Sequence, residues 1–267
     1  MSTHRLTVLS ANLKNPFFRP GRVDWPAVEA RLAAFARLAE AAAADVLLLQ
    51  EVGRRDEFRV DNWLSERLGL AGLYERANRA FGAEEGVAIL SRYPLSQPAV
   101  CVLAGGLWRR PALGALVGAP PGTPVGASMG EVAVYTVHLS LRPWRNRRQA
   151  AALRAWVAAT AGERAAVVGG DFNAHETAPH IVALRAEWID VFRAARPTAD
   201  GTTHALRLWP WMPSRWALNR RLDYLFLRPG EPDIRIANCE HRARAGDAGP
   251  PFSDHRAVVA RFVMGSD

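Results

Sequence analysis

Residues 167–175, VVGGDFNAH, end an apolar run and then place an acid and an amide two positions apart, directly after two glycines. The preceding AAVV run is typical of a strand buried on both faces. Asp171 and Asn173 therefore lie at the end of a predicted strand, where layered α/β folds assemble their sites. Taken alone, such an Asp is usually a turn residue or a helix cap. Folding does not require both side chains on a glycine hinge, so the stretch also indicates a functional strand end.

Strands and helices alternate along the first half of the chain, with hairpin-like strands among them. The pattern predicts strands at 6–13, 45–50, 86–91, 100–103, 131–139, 164–168, 222–227, 233–238 and 256–264. Helices are predicted after a capping Asp24 and at about 56–68, 144–161 and 179–186. The mixture favours an α/β (α+β) fold with mixed sheets over a purely parallel sheet. No repeat or linker is visible, so residues 1–267 are expected to form a single domain.

The composition is that of a globular protein, because 49% of its 267 residues are hydrophobic. Its two cysteines, Cys101 and Cys239, are far apart, which argues against a disulfide framework and fits a reducing compartment. We find no charged leader before an apolar core, and no apolar run of the roughly 20 residues that a spanning helix needs. A cytoplasmic monomer without a transmembrane segment is expected.

The net charge of +8 indicates polyanionic partners such as nucleic acid or anionic phospholipid headgroups. Lys14 is the only lysine, and every other basic residue is an arginine. This bias has a second explanation in genome-wide composition, so the charge alone does not decide the partner.

Polar residues recur at the ends of the apolar strands. They are Asn12, Gln50-Glu51, His138, Asp171 with Asn173, Asp223, and Asp254-His255. The carboxylates of Glu51, Asp171 and Asp254 are hard oxygen ligands suited to Mg²⁺ or Mn²⁺. The amides and imidazoles donate hydrogen bonds to phosphate oxygens without adding negative charge, and Asp223 is placed to orient His255. Together these residue types favour metal-assisted attack of water on phosphorus.

The order of the motifs along the chain is also informative. They are Asn12, QE at 50–51, GVAILSRYPL at 86–95, HL at 138–139, GDFNA at 170–174, RLDY at 221–224 and SDH at 253–255. In this order the sequence resembles the endonuclease/exonuclease/phosphatase superfamily from residue 6 to residue 262. The resemblance implies a deoxyribonuclease I-like fold of four layers, in which two packed mixed β-sheets are flanked by helices.

The resemblance also implies a role for each matching residue. Glu51 is expected to be the principal Mg²⁺ ligand, with Asn12 near the metal and Asp254 assisting. Asp171 would position or deprotonate the attacking water, Asn173 and His138 would face the phosphate, and Asp223 with His255 would form a pair that contacts it. Gly169 and Gly170 are expected to allow a tight backbone turn beside the site.

Glu85 precedes the strand predicted at 86–91. By analogy with deoxyribonuclease I, Glu85, or failing that Glu84, is expected to support His138. A solvated acidic turn is the alternative.

Two further stretches are candidates for holding substrate. Arg142, Arg145 and Arg148 begin a predicted helix directly after the His138 strand, where cations oppose the helix dipole and favour a phosphate-rich ligand. Trp209 and Trp211 lie among arginines and prolines at 203–221, a mixture that stacks on unpaired bases or seats in a membrane interface. Composition bias and packing onto the core are the respective alternatives.

The sequence thus predicts a Mg²⁺-dependent (alternatively Mn²⁺-dependent) phosphoester hydrolase, with nucleic acid as the favoured substrate. A phospholipid or sphingomyelin phosphodiesterase and an inositol-type phosphatase are the alternatives within the superfamily. A non-catalytic binding protein is a further alternative, although none of the main site positions is missing.

Overall fold

The computed structural model describes residues 4–18, 20–56, 58–103, 106, 108–118, 130–206, 218–242 and 251–264. The helices are α1 (Trp25–Ala42), α2 (Val60–Leu68), α3 (Pro143–Ala161), α4 (Pro179–Arg185) and α5 (Val191–Ala195). The strands are β1 (His4–Asn12), β2 (Val46–Arg55), β3 (Phe58–Arg59), β4 (Ala71–Ala80), β5 (Ala83–Ser91), β6 (Leu95–Leu103), β7 (Arg110–Val117), β8 (Val132–His138), β9 (Ala166–Asp171), β10 (Ile189–Asp190), β11 (His204–Leu206), β12 (Leu218–Arg220), β13 (Asp223–Arg228), β14 (Ile234–Arg242) and β15 (Ala257–Met264).

Two mixed sheets form the middle of the molecule. The first has the order β14-β15-β1-β2-β5-β4, with β3 added to β2, and the second has the order β10-β13-β9-β8-β7-β6. Each sheet contains one parallel pair, β1 with β2 and β8 with β9, and the other pairs are antiparallel. Each parallel pair is joined through a long helix, α1 or α3, because a parallel crossover needs a long connection. The short pair β11–β12 stands apart.

Three apolar clusters separate four layers. The central cluster packs the inner faces of the two sheets together through residues such as Val8, Leu48, Val134 and Leu225. A second cluster covers the outer face of the first sheet with α1 and α2, and a third covers the second sheet with α3 and α4. The structure confirms the predicted sandwich of two mixed sheets flanked by helices.

Several strands differ from those predicted. β4 and β7 were not predicted. The residues of β4 do not alternate between buried and exposed, and β7 contains Pro111 and Gly114. The strand predicted at 45–50 continues to Arg55, because β5 pairs with its whole length. The helix predicted from about residue 56 begins only at Val60, after the short strand β3.

The two glycines of the GGDFN stretch do not form a turn. Both lie within β9, so the expectation of a tight backbone turn was wrong. A Cβ on Gly169 would lie 2.7 Å from Leu48 Cδ1 of the facing sheet, and one on Gly170 would lie 2.0 Å from the Val137 carbonyl oxygen. The glycines instead permit close approach of neighbouring strands and of the two sheets.

Cys101 and Cys239 are both free thiols, as expected. In the described part of the chain no helix is long and apolar enough to cross a membrane. Trp209 and Trp211 lie outside the described residues.

Candidate active site

Polar side chains from both sheets meet at one end of the sandwich. Since β13 and β15 run antiparallel to their neighbours, their first residues lie beside the last residues of β1, β8 and β9. The cluster comprises Asn12 of β1, Glu51 of β2, His138 of β8, Asp171 of β9, Asp223 of β13, and Asp254-His255 before β15. Six widely separated stretches of sequence are thereby brought into one site.

Asp171 lies at the centre of this cluster and is only 2% exposed. Its Oδ2 accepts a hydrogen bond from Asn12 Nδ2 at 3.1 Å, and lies 3.6 Å from His138 Nε2 and 4.0 Å from His255 Nε2. Burial, reinforced by the neighbouring Asp223 carboxylate, raises the pKa of Asp171 to about 7. A carboxylate with such a pKa is suited to accept a proton near neutral pH.

Asp223 and His255 form a buried pair, with His255 Nδ1 2.9 Å from Asp223 Oδ2. Burial opposes a charge on the imidazole, but Asp223, followed by Asp171 and Asp254, raises the pKa of His255 to about 10. His255 is therefore an imidazolium at neutral pH. The backbone of Asp223 is held by Thr203, whose Oγ1 accepts a hydrogen bond from Asp223 N at 3.1 Å.

Glu51 lies inside β2, where the predicted strand was expected to end. It has a positive φ of 51°, and the β2–β5 register is irregular between Leu49 and Val52. Its carboxylate is held through both oxygens, because Oε1 accepts from Asn12 Nδ2 at 2.9 Å and Oε2 from Asn15 N at 3.3 Å. A non-glycine residue in this conformation is uncommon, and such strain clusters at functional sites.

Asp254 stands at the rim of the cluster and pairs with Lys14, whose Nζ lies 2.7 Å from Asp254 Oδ2. Burial opposes ionisation of Asp254, but the bond from Lys14 and the lysine charge lower its pKa below the usual value. Lys14 N also donates to Asn12 Oδ1 at 2.9 Å. The one lysine of the chain therefore fixes two of the predicted metal-site residues.

His138 is almost fully buried, and burial, followed by the charges of Arg110 and His255, lowers its pKa well below 6.5. The expected support from a glutamate is not formed, since no hydrogen bond or ion pair joins His138 to Glu85 or Glu84 within the described residues. Glu84 pairs instead with Arg76 at 3.1 Å. Burial, and then the charge of Glu51, raises the pKa of Glu85 to about 7.

Asn173 closes the loop after β9. Its backbone N donates to Asp171 Oδ1 at 2.9 Å, and its Nδ2 donates to Leu139 O at 3.0 Å. The φ of Asn173 is 48°, so the left-handed turn lies here and not at the glycines. Its backbone bond to Asp171 is that of an Asx turn, which fixes the orientation of the Asp171 carboxylate.

The three candidate arginines lie around the first turn of α3. Arg142 is the exposed residue before the helix and makes no side-chain capping bond. Arg145 and Arg148 place their guanidinium carbons 4.8 Å and 5.8 Å from the ring centre of Trp144. Arg145 also packs on Gly106, where a Cβ would lie 2.3 Å from its guanidinium. These arginines come directly after the loop that follows His138.

Arg221 of the RLDY motif supports the site from behind. It is buried and donates to Asp190 at 2.6 Å and 2.8 Å, and to Glu176 at 3.1 Å. Tyr224 of the same motif donates to Ala174 O at 2.8 Å. This ion-pair network joins the start of β13 to the loop that carries Asn173.

Three residues near the site were not singled out in the sequence. Thr203 holds the backbone of Asp223, and His204 lies beside His255 with a ring-centre separation of 4.6 Å. Arg110, at the start of β7, acts electrostatically on both His138 and Glu85. No local motif marks them, although THAL at 203–206 precedes the tryptophan-rich stretch of sequence.

The acidic residues at the site suit a hard divalent cation. Glu51 and Asp171 share one amide donor, Asn12 Nδ2. Asp223 Oδ1 is buried and has no hydrogen-bond partner among the described residues. Ligand atoms of Asp171, Asp223 and His255 lie within 4.8 Å of one another, as do those of His204, Asp254 and His255. The carboxylate oxygens of Glu51, Asp171 and Asp223 are donors of the kind that fit Mg²⁺, Mn²⁺ or Ca²⁺, whereas the charged His255 is not.

Solved structures share the fold. An endonuclease/exonuclease/phosphatase from Beutenbergia cavernae is 23% identical with a TM-score of 0.72, and the alignment covers 98% of this chain and 72% of that one. A family member from Bacteroides vulgatus is 16% identical with a TM-score of 0.75, covering 98% and 100%. Truncated TDP2 from Caenorhabditis elegans is 18% identical with a TM-score of 0.68, covering 97% of each chain.

Comparison with curated proteins gave no match. The model of the endonuclease/exonuclease/phosphatase family, however, matches residues 9–255, a span that contains every residue of the cluster. This match confirms the resemblance seen in the sequence motifs. The chain is a phosphoester-hydrolysing enzyme and belongs to the endonuclease/exonuclease/phosphatase family.

Proposed function

We propose that this protein is a Mg²⁺-dependent phosphodiesterase that cleaves nucleic acid, and that the whole chain, 1–267, acts as one catalytic domain. The observation that carries the proposal is the setting of Asp171. Its Oδ2 lies within 4.0 Å of the Nε2 atoms of both His138 and His255, and is hydrogen-bonded to Asn12. A proton acceptor surrounded by phosphate-binding groups is what water attack on phosphorus needs.

In this proposal Asp171 orients the attacking water and takes its proton. Its carboxylate is fixed by the Asx turn with Asn173 and by the amide of Asn12. Such fixed geometry lowers the entropic part of the barrier. The water attacks in line with the leaving oxygen, so the configuration at phosphorus inverts.

The charge that develops on the phosphoryl oxygens is met by preorganised donors. His255 is positively charged and held by Asp223, so that its Nε2 is free to donate toward the phosphate. His138 is neutral and donates without adding charge, and Asn173 borders the same space. Donors fixed before the reaction cost no reorganisation when the charge appears.

Glu51, hydrogen-bonded to Asn12, would hold the divalent cation, and Asp254 would assist. When bound, the cation supplies Lewis-acid stabilisation of the phosphoryl oxygens. Lys14 Nζ pairs with Asp254, and Lys14 N donates to Asn12 Oδ1, so the lysine charge would be held at this edge of the site.

Nucleic acid is favoured over other phosphoesters because of the charge around the site. The protein carries +8, and Arg142, Arg145 and Arg148 border the loop after His138. Arginine side chains bind phosphate backbones through paired donors. A phospholipid phosphodiesterase is the second candidate, favoured by the exposed Leu141 and Trp144 (73% and 54%) beside these arginines.

A substrate panel tests the proposal. Purified wild type and Asp171→Ala would be offered plasmid DNA, single-stranded DNA, RNA, sphingomyelin and a phosphoinositide, in Mg²⁺, in Mn²⁺ and in chelator. We expect metal-dependent cleavage of DNA or RNA by the wild type only. Release of lipid headgroups without cleavage of nucleic acid would overturn the proposal in favour of the second candidate.

A further inference from the structure

A groove lined by arginines lies outside the catalytic cluster. It has a volume of about 1050 Å³ and runs along β4, with Trp108 and Arg109 on its other side. A smaller cavity of about 220 Å³ adjoins it, and Arg54, Arg79 and Glu84 line both. The arginines of the two cavities are Arg54, Arg55, Arg59, Arg76, Arg79 and Arg109.

Three of these arginines are neutralised by neighbours. Arg54 donates to both oxygens of Asp61, at 3.0 Å and 2.6 Å, Arg76 pairs with Glu84, and Arg109 pairs with Glu75.

Of the other three, Arg59 and Arg79 retain an uncompensated charge, and Arg55 forms only a long ion pair. Arg59 and Arg79 are exposed and form no ion pair with any residue in the described ranges, and Arg55 lies 3.8 Å from the exposed Asp56. This part of the groove is therefore electropositive and suited to an anionic ligand.

Three aromatic side chains form a shelf beside the arginines. The ring of Phe18 packs edge-on against Phe81 and Trp108, with ring-centre separations of 6.3 Å and 5.7 Å. Phe81 is 55% exposed and Trp108 is 51% exposed. Exposed aromatic faces next to arginines offer the stacking surface and the charge that unpaired bases and their phosphates require.

The side chain of Asn78 holds the backbone next to Trp108 in place. Arg109 N donates to Asn78 Oδ1 at 2.9 Å, and Asn78 Nδ2 donates back to Arg109 O at 3.2 Å. These reciprocal bonds fix the segment that carries Trp108 against β4. Order in the absence of ligand reduces the entropy lost on binding.

The groove is connected to the catalytic cluster. Asn15 Nδ2 donates to Glu84 O in the groove wall at 3.0 Å, and Asn15 N donates to Glu51 Oε2 at 3.3 Å. On the other wall, Arg109 is followed by Arg110, whose charge acts on His138. The groove and the catalytic cluster therefore adjoin through shared walls on this side.

We propose that the groove binds an unpaired strand of the nucleic acid substrate, with phosphates on Arg55, Arg59 and Arg79 and bases on Phe18, Phe81 and Trp108. The strand must be unpaired because a duplex keeps its base faces stacked and unavailable to aromatic side chains. This assignment rests on the proposed function, and it narrows the substrate to single-stranded DNA or RNA, or to a duplex with an unpaired end.

Binding and catalysis are tested separately. Binding of a fluorescein-labelled 12-nucleotide single strand would be measured by anisotropy in chelator. Hydrolysis of bis(p-nitrophenyl) phosphate, which is too small to reach the groove, would be measured in Mg²⁺. The groove variants are Arg59→Gln/Arg79→Gln and Phe81→Ser/Trp108→Ser. The matched control, Arg5→Gln/Arg235→Gln, removes the same charge at the far end of the first sheet, where both residues are in register with Val263.

We expect each groove variant to raise the Kd of the single strand by about tenfold or more, and the control variant to change it less than twofold. Loss of two phosphate contacts should also reduce the slope of log K against log salt by about 1.4. Hydrolysis of the small diester should stay at the wild-type rate in all variants, each of which must match the wild type in circular dichroism.

Equal affinities of groove and control variants would overturn the groove assignment, as would binding of a 12-base-pair duplex as tightly as the single strand. If Phe81→Ser/Trp108→Ser lost binding to phosphatidylserine vesicles but kept binding to the single strand, the shelf would be a membrane contact. Absence of diester hydrolysis in the wild type would count against the proposed function, while the binding comparison would still decide the groove.

Discussion

His255 and His138 lie on either side of one carboxylate, yet they hold different charges. His255 is paired with Asp223, and carboxylates raise its pKa to about 10 against the effect of burial. Among the described residues no carboxylate is hydrogen-bonded to His138, whose Nε2 lies 3.6 Å from Asp171 Oδ2, and burial with the charge of Arg110 lowers its pKa. One site therefore presents a charged and a neutral imidazole to the phosphate, a difference that arises from their neighbours.

The substitution Asp223→Asn tests the origin of this difference. Without the carboxylate, burial acts on His255 with less opposition, so the pKa of His255 should fall below its wild-type value of about 10. Long-range ¹H–¹⁵N NMR of the imidazoles would read both charges in chelator. At pH 8 we expect a charged His255 in the wild type, a larger neutral fraction in the variant and a neutral His138 in both. An unchanged His255 titration would contradict this explanation.

At the scale of single residues, the sequence was informative where side-chain chemistry is marked by local context. Asp171, Asp223 and His255 each stand beside an apolar strand, and the structure brings them together. Thr203 and His204 could not be identified in this way, because their contacts with Asp223 and His255 depend on chain segments distant in sequence. The expected pairing of Glu85 with His138 rested on analogy, and the structure does not form it.

At the scale of elements, β9 has to satisfy two requirements. Its C-terminal end carries Asp171, and its middle must fit between β8, β13 and the facing sheet. Gly169 and Gly170 meet the second requirement, since a side chain at either position would collide with Leu48 or the Val137 carbonyl. Sequence alone could not separate close approach from a tight turn, because glycine permits both.

The substitution Gly170→Ala should therefore lower the free energy of unfolding by roughly 1–3 kcal/mol, the usual cost of overpacking. The new Cβ would lie 2.0 Å from the Val137 carbonyl oxygen, and the residue has a φ of 156°. Urea unfolding would measure the change. Gly118→Ala is the matched control, because its nearest contact is an ordinary 3.7 Å and the stability should change by less than about 0.5 kcal/mol. Equal effects of the two substitutions would refute the packing argument.

β2 is the second element whose role could be predicted only in part. Its apolar half was evident from residues 45–50, but its continuation to Arg55 depends on pairing with β5. The register irregularity places Glu51 inside the strand, with a positive φ. Long-range pairing of this kind leaves no periodic signal in a short stretch.

At the scale of the whole molecule, the active site lowers stability in order to hold acidic groups close together. The pKa of Asp171 is raised from 3.8 to about 7, so the folded state binds its proton more tightly than the unfolded state does. The associated stability is fully present below pH 3.8 and is lost as the pH rises through about 7. Clustered carboxylates that favour catalysis thus disfavour folding near neutral pH.

Comparison of the wild type with Asp171→Asn in chelator tests this cost. The variant lacks the titrating group, so its stability relative to the wild type should increase as the pH rises from about 4 to about 7. The upper limit is about 1.4 kcal/mol per pH unit. Urea unfolding at several pH values would give the difference, and a difference independent of pH would show that Asp171 is not strained in the folded state.

Addition of Mg²⁺ should offset the loss of folding stability that the clustered carboxylates cause. A cation that binds only the folded protein raises its stability by about 2.7 kcal/mol at a hundredfold excess over Kd. We expect a rise in Tm with Mg²⁺ for the wild type and a smaller rise for Glu51→Gln, which keeps the side-chain size but loses the charge. Equal shifts of Tm in both proteins would show that Glu51 is not a ligand of the cation.

The fold as a whole was predicted more fully than the substrate. The order of motifs from Asn12 to His255 identifies the family and therefore the four-layer sandwich. Substrate preference depends on surfaces such as the arginine groove, whose members come from β2, β3, β4 and the segment before β7. No local motif joins these pieces, so the groove became visible only in the folded chain.

The central claim, that Asp171 and His255 act as one unit in phosphoester hydrolysis, is tested most directly by a double-mutant cycle. Single-turnover rates in excess Mg²⁺ would be compared for the wild type, Asp171→Asn, His255→Gln and the double variant. The account predicts that each single change lowers the rate at least a hundredfold and that the double variant is little slower than the worse single one, because groups that act together are not additive. Single variants that retain more than a tenth of the wild-type rate, or losses that multiply fully, would contradict it.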